Sequence, residues 1–207
     1  METLQFKIYN TLLKKLSITI FEEWLYNQEA ILNQLENDSF LYAIITINYQ
    51  LENSVSLLEK EAIKKYGIEF KTVLFVEKSC LEIVKIKNLE ECSRILNELV
   101  WNYSYESEHV LFWELYVFCN NIDSLFVGYG SCEETELLIK IKNFIQKTLE
   151  KLQNCISFEE KKAIVFEKRI PYQKKLQYNI PKEIPTKIKV SLRKKIAQFF
   201  SSFAKVH

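Results

Sequence analysis

Glycine and proline are scarce, with three of each among 207 residues. A β-sandwich or barrel turns tightly and often, and such turns need residues that reach left-handed backbone angles or arrive with φ already fixed. That scarcity excludes an all-β fold and suits long helices joined by short polar loops. Histidine is scarcer still: His109 and His207 are the only two. Triads, acid–base pairs and histidine-based metal sites therefore have almost nothing to be built from. His109, in Glu106-Ser107-Glu108-His109, reads as a surface or half-buried residue in the first turn of a helix. No glycine-rich loop leads into a helix to cradle a phosphate, and Gly128-Tyr129-Gly130 reads as a turn.

Five cysteines, at 80, 92, 119, 132 and 155, are odd in number and widely spaced. They form neither a disulfide framework nor a CxxC clip, so reduced and mostly buried thiols are expected. No window reaches the roughly 18 apolar residues that span a bilayer. The opening METLQFKIYNTLLKKLSITIF lacks the pattern of a secretory signal, so the expected location is the cytoplasm. The glutamate pairs Glu22/Glu23, Glu90/Glu91 and Glu133/Glu134 point apart on a helix and read as solvated faces. No catalytic residue, cofactor or metal is expected, and the chain reads as a non-enzyme.

What the chain does have is apolar material and a segregated charge. Apolar residues make up 48% and aromatics 14%, enough for a substantial core. The formal net charge of +1 conceals two opposed segments. Residues 1–152 hold 15 basic and 23 acidic residues, a net of −8; residues 153–207 hold 13 and 4, a net of +9. The acidic part would repel nucleic acid, so no nucleic-acid partner is expected.

Helix signals recur at short intervals. An amphipathic stretch near Leu4 to Leu16 is followed by Thr19-Ile20-Phe21-Glu22, which has the spacing of a capping box. Asp38 or Ser39 can cap the next helix, and Ser54 or Ser56 a third that ends at Gly67 in a left-handed cap. Residues 68–86 are rich in β-branched side chains but lack turn residues and strict alternation, which predicts helix. Asn88 opens a helix carrying Leu89, Cys92, Ile95, Leu96 and Leu99. Residues 106–118 are apolar on nearly every side and so are expected at the centre of the bundle. Ser131 can cap a last long helix through Leu152.

The expected fold is thus an all-α bundle of about seven or eight helices with a basic amphipathic C-terminal helix. Its expected divisions are an acidic bundle at 1–155, a proline-containing linker at 156–185 and the basic helix at 186–207. That last helix sets Ile188, Leu192, Ile196, Phe199, Phe200 and Phe203 opposite Lys and Arg. Packing of its apolar face on the acidic body is favoured over a macromolecular partner, and both over a membrane surface or nucleic acid.

The segment Thr19-Ile20-Phe21-Glu22-Glu23-Trp24-Leu25-Tyr26-Asn27, followed by Phe40-Leu41-Tyr42 and Ile47-Asn48-Tyr49, resembles an N-terminal pattern of small bacterial proteins. Several of these look like immunity proteins that accompany polymorphic or contact-dependent toxins. The resemblance covers roughly residues 10–66 and brings no catalytic residues with it. Trp24, Tyr26, Tyr42 and Tyr49 read as helix-packing aromatics, and Asn48 as a residue satisfying a helix end. The resemblance implies an immunity protein that neutralises a cognate toxin, expected to be basic, by occluding its active site or substrate path. The candidate partner-binding residues are Phe126, Val127, Tyr129, Glu133, Glu134 and Glu136, around the glycine turn. The second reading is a non-catalytic scaffold or regulatory module acting through the basic C-terminal helix. The oligomeric state is not fixed by the sequence.

Overall fold

Several helix starts follow from side-chain oxygens that meet free backbone donors. In the computed structural model, residues 3–103, 108–130 and 132–169 are described. Thr3 accepts from the amide of Phe6 and opens α1 (Leu4–Leu12). Ser17, in extended conformation, accepts from Ile20 and opens α2 (Ile18–Tyr26). The cap expected at Thr19 is therefore found two residues earlier, because Ser17 presents the same hydroxyl from the extended backbone that an N-cap requires. After the short α3 (Glu29–Leu32), Asp38 accepts from Phe40 and Leu41 and opens α4 (Ser39–Ile45), as its spacing predicts.

The longest element, α5 (Ser54–Ile83), starts after Asn53 without a side-chain cap, so neither Ser54 nor Ser56 plays the expected part. Its continuity is broken at Gly67, whose φ of 79° and ψ of −165° belong to a region open almost solely to glycine. Gly67 thus interrupts the helix where a break is expected, but not as a left-handed cap that ends it: its ψ is extended, and a second helical segment resumes at once. That segment bears out the helical reading of residues 68–86 as far as Ile83, after which residues 84–86 leave the helix. Asn88 accepts from Glu91 and opens α6 (Leu89–Tyr103). The remaining helices are α7 (Val110–Phe126), α8 (Glu134–Gln153) and α9 (Phe158–Val165). Among the described residues there are no strands, and the all-α bundle stands.

The hub is α5: α1, α4, α6, α8 and α9 all pack on it, while α7 pairs mainly with α6. Leu58, Ala62, Phe70, Val73, Val76 and Ile83 line the faces of α5 that are wholly buried. The aromatic segment is consequently not central. Leu111, Phe112, Leu115, Cys119 and Ile122 of α7 face inward, but Tyr116 is exposed. A helix can carry apolar residues all round and still bury only part of its surface when one neighbour, here α6, supplies most of the packing and a second, α8, little.

The packed body also runs beyond residue 155. Phe158, Lys161 and Val165 are buried, so the first part of the expected linker is α9 and belongs to the core. Lys168 bridges His109 in antiparallel fashion, with Val110 N donating to Glu167 O at 2.9 Å. Arg169, the last described residue, lies 3.8 Å over the ring of Trp113. The rest of the linker and the basic helix at 186–207 lie outside the described residues.

The resembling segment divides by burial. Phe21, Leu25, Phe40, Leu41, Ile47 and Tyr49 are core residues and Trp24 is half-buried. The Tyr49 hydroxyl donates to Ile44 O at 2.7 Å. Tyr42, 61% exposed, does not pack as expected, and Tyr26 is exposed with its hydroxyl donating to Ile45 O. Asn48 accepts from Gln50 within a turn and does not satisfy a helix end.

Candidate functional site

Two glycines build the most exposed apolar feature of the described chain. At the end of α7, Gly128 takes a φ of 82° and donates to Leu125 O, while Tyr129 N donates to Ser124 O at 2.9 Å. This paired pattern is a Schellman motif, which satisfies the last carbonyls of the helix and reverses the chain. Gly130 then lies against α7 so closely that a Cβ would come within 2.7 Å of Leu125 Cα. With no side chain at 128 or 130, the turn hugs the helix end and sends Tyr129 outward. Tyr129 is 87% exposed, Val127 68% and Phe126 53%.

The carboxylates expected beside these residues are exposed as well. Glu133 is the N-cap residue of α8, without a side-chain hydrogen bond, and Glu134 and Glu136 follow in its first turn. The helix therefore starts later than a cap at Ser131 would require. Acidic groups at this position favour the positive end of the helix dipole, worth about 0.3–1 kcal/mol each. Glu136 is not available in the same way as the other two, because Lys140 meets it at 2.6 Å. Phe126 and Glu134 line one shallow cleft, of about 380 Å³, together with Asn88, Leu89 and Glu90 of the α6 start. Glu90 was not among the expected residues: 36 positions separate it from Phe126, and only the pairing of α6 with α7 brings it there.

The second notable cluster is buried. Glu77, fully buried on α5, receives the Tyr9 hydroxyl at 2.7 Å and Lys161 Nζ at 2.9 Å on Oε2, and Lys15 Nζ at 2.5 Å on Oε1. Lys161 also donates to Leu152 O, and its ammonium lies 5.3 Å from the Tyr9 ring centroid. Burial alone would raise the Glu77 carboxyl, but the three hydrogen bonds outweigh it and hold the group below the ordinary carboxylate range. Burial pulls the Lys161 ammonium below the usual lysine value, with Glu77 only partly opposing. Burial raises the Tyr9 phenol, and the neighbouring Glu77 charge adds to the effect. A trace of this cluster exists in the sequence: Glu77 interrupts the apolar face Val73, Val76, Cys80, Ile83. Its partners, 62 to 84 positions away, carry no such mark.

His109 is half-buried at the N-cap position of α7, with Nδ1 3.0 Å from Phe166 O and its ring edge-on to Phe112 and Phe166. It faces aromatic rings and a carbonyl. Among the described residues no three His, Cys, Asp or Glu side chains are grouped to hold a metal ion. All five cysteines are free; Cys80, Cys92 and Cys119 are buried and Cys132 and Cys155 half-buried. No helix among the described residues is long and apolar enough to cross a membrane. No family model, curated protein or solved structure matches this chain.

Proposed function

We propose that this chain is a protein-binding module that captures a basic protein at the α6–α7–α8 end of the bundle. The observation that carries the reading is the cleft that joins exposed Phe126 to exposed Glu90 and Glu134, with exposed Val127, Tyr129 and Glu133 close by in the chain. Aromatic side chains that bury large areas supply most of the energy of a typical interface. Carboxylates around them speed encounter with a basic surface and set its orientation. The net charge of −8 over residues 1–152 adds a long-range attraction of the same sign. The resemblance of residues 10–66 to immunity proteins makes the partner a toxin, neutralised by occlusion of its active site or substrate path.

The test is neutralisation. Toxic open reading frames encoded beside this gene are expressed with and without the chain, and growth is followed. Rescue by the wild type, lost in a Phe126→Ala/Tyr129→Ala double variant that remains folded, is the expected result. Undiminished toxicity in every pairing, or full rescue by the double variant, counts against the proposal.

A further inference from the structure

A cleft of about 330 Å³ opens between α1 and α9, at the low end of the size range of small-ligand pockets. Lys7, Lys15, Lys161, Asn10, Gln153 and Cys155 line it with two apolar residues, and no carboxylate is among its lining residues. On a body that is acidic overall, this is a concave site of opposite sign. Glu77 lies behind it and engages two of the lysines, so two ammonium charges meet one carboxylate and a positive charge remains.

Donor geometry points the same way. An ammonium has three N–H donors. Lys161 uses one on Glu77 and one on Leu152 O, and Lys15 uses one on Glu77. The Lys161 ammonium also lies over the Phe6 and Tyr9 rings, with its side chain 1% exposed, so the two donors left for an occupant are those of the half-buried Lys15. The backbone holds Lys15 in place at some cost: Lys14 N donates to Thr11 O and Lys15 N to Asn10 O, closing a second Schellman turn with Lys14 at a φ of 58°. Lys14 is the one non-glycine left-handed residue among those described, and it sits directly before Lys15. Lys7, whose Nζ is 5.6 Å from the Trp24 ring centroid, also lines the cleft.

We propose that the α1–α9 cleft binds a small oxyanion, a phosphate monoester or a carboxylate, with Lys15 as its hydrogen-bond donor and Lys161 as a buried positive charge behind it. The measurement is an amide chemical-shift titration of the full chain with inorganic phosphate and, separately, with succinate, each against chloride at equal ionic strength. Saturable shifts at Asn10, Lys15, Leu16, Gln153 and Cys155 are expected with at least one of the two, and which one saturates names the ligand class. Lys15→Gln is expected to weaken binding about tenfold, the loss of a charge-assisted hydrogen bond, while Lys15→Arg retains it. Shifts no different from those with chloride, or saturable shifts mapping elsewhere, overturn the proposal. So does binding unchanged in a folded Lys15→Gln. Should that variant not fold, Gln153→Glu, which sets a carboxylate in the lining, takes its place, with weaker binding expected and unchanged binding overturning the proposal.

Discussion

Glu77 and Lys161 are 84 positions apart in the chain and 2.9 Å apart in space, with side chains 0% and 1% exposed. This contact ties α9 to the hub helix and explains why the bundle continues past residue 155. Breaking a buried ion pair by removing one partner leaves a charge without compensation, at a cost of about 3–5 kcal/mol. Glu77→Ala strands both Lys15 and Lys161 and should show the full effect in a denaturant melt. Lys161→Met leaves Glu77 with Lys15 and Tyr9, so it should cost less, about 1–3 kcal/mol, mainly through the lost donor to Leu152 O. Equal costs for the two variants would contradict the charge arrangement.

The same carboxylate should govern acid stability. Its folded pKa lies below the unfolded value of about 4.3, so in that window the unfolded chain binds more protons and stability rises with pH. The contribution is complete above the unfolded value and is lost as pH falls through the folded one. Asp38 contributes with the same sign, since the hydrogen bond from Lys65 lowers it most. Thermal unfolding followed from about pH 7 to about pH 3 should show a falling Tm below roughly pH 4.3. That fall should flatten in Glu77→Gln more than in Asp38→Asn, because the Asp38 side chain is half-buried and Glu77 wholly buried.

Glycine matters at two positions for different reasons. Gly67→Ala meets no atom within 4 Å but must adopt a backbone region closed to side chains, costing about 1–3 kcal/mol. Gly130→Ala meets Leu125 at 2.7 Å and should cost a similar amount while displacing the turn. Only the second should weaken partner binding. Conversely, Lys14→Gly should stabilise by about 1 kcal/mol, since it relieves a left-handed lysine.

Surface and thiol chemistry provide a further check. Phe126→Ala and Tyr129→Ala should leave stability within about 0.5 kcal/mol of wild type, as both side chains are exposed. Burial pushes the thiols of Cys80 and Cys119 up to about 12 and of Cys92 to about 11. Alkylation near neutral pH should therefore reach only Cys132 and Cys155 in the native protein and all five cysteines after denaturation, as read by intact mass.

Local signals carried most of the fold. Caps at Asp38 and Asn88, the helix over 68–83 and the reversal at Gly128 depend on residues within about four positions of one another, and sequence spacing exposes such relations. Where two hydroxyls competed, at Ser17 and Thr19, spacing alone picked the wrong one. Burial of α7 was misjudged because composition records how apolar a helix is and not how many neighbours cover it.

By itself the sequence determined an all-helical body, the segregation of acidic from basic segments and the aromatic, acidic character of residues 126–136. Tertiary structure alone decided that α5 is the hub, that Glu90 joins Phe126 and Glu134, and that Lys15, Lys161 and Tyr9 converge on Glu77. Helix formation is written in periods of three and four residues, whereas the meeting of residues 62 to 84 positions apart depends on how whole faces pack, and no short window of sequence contains that information.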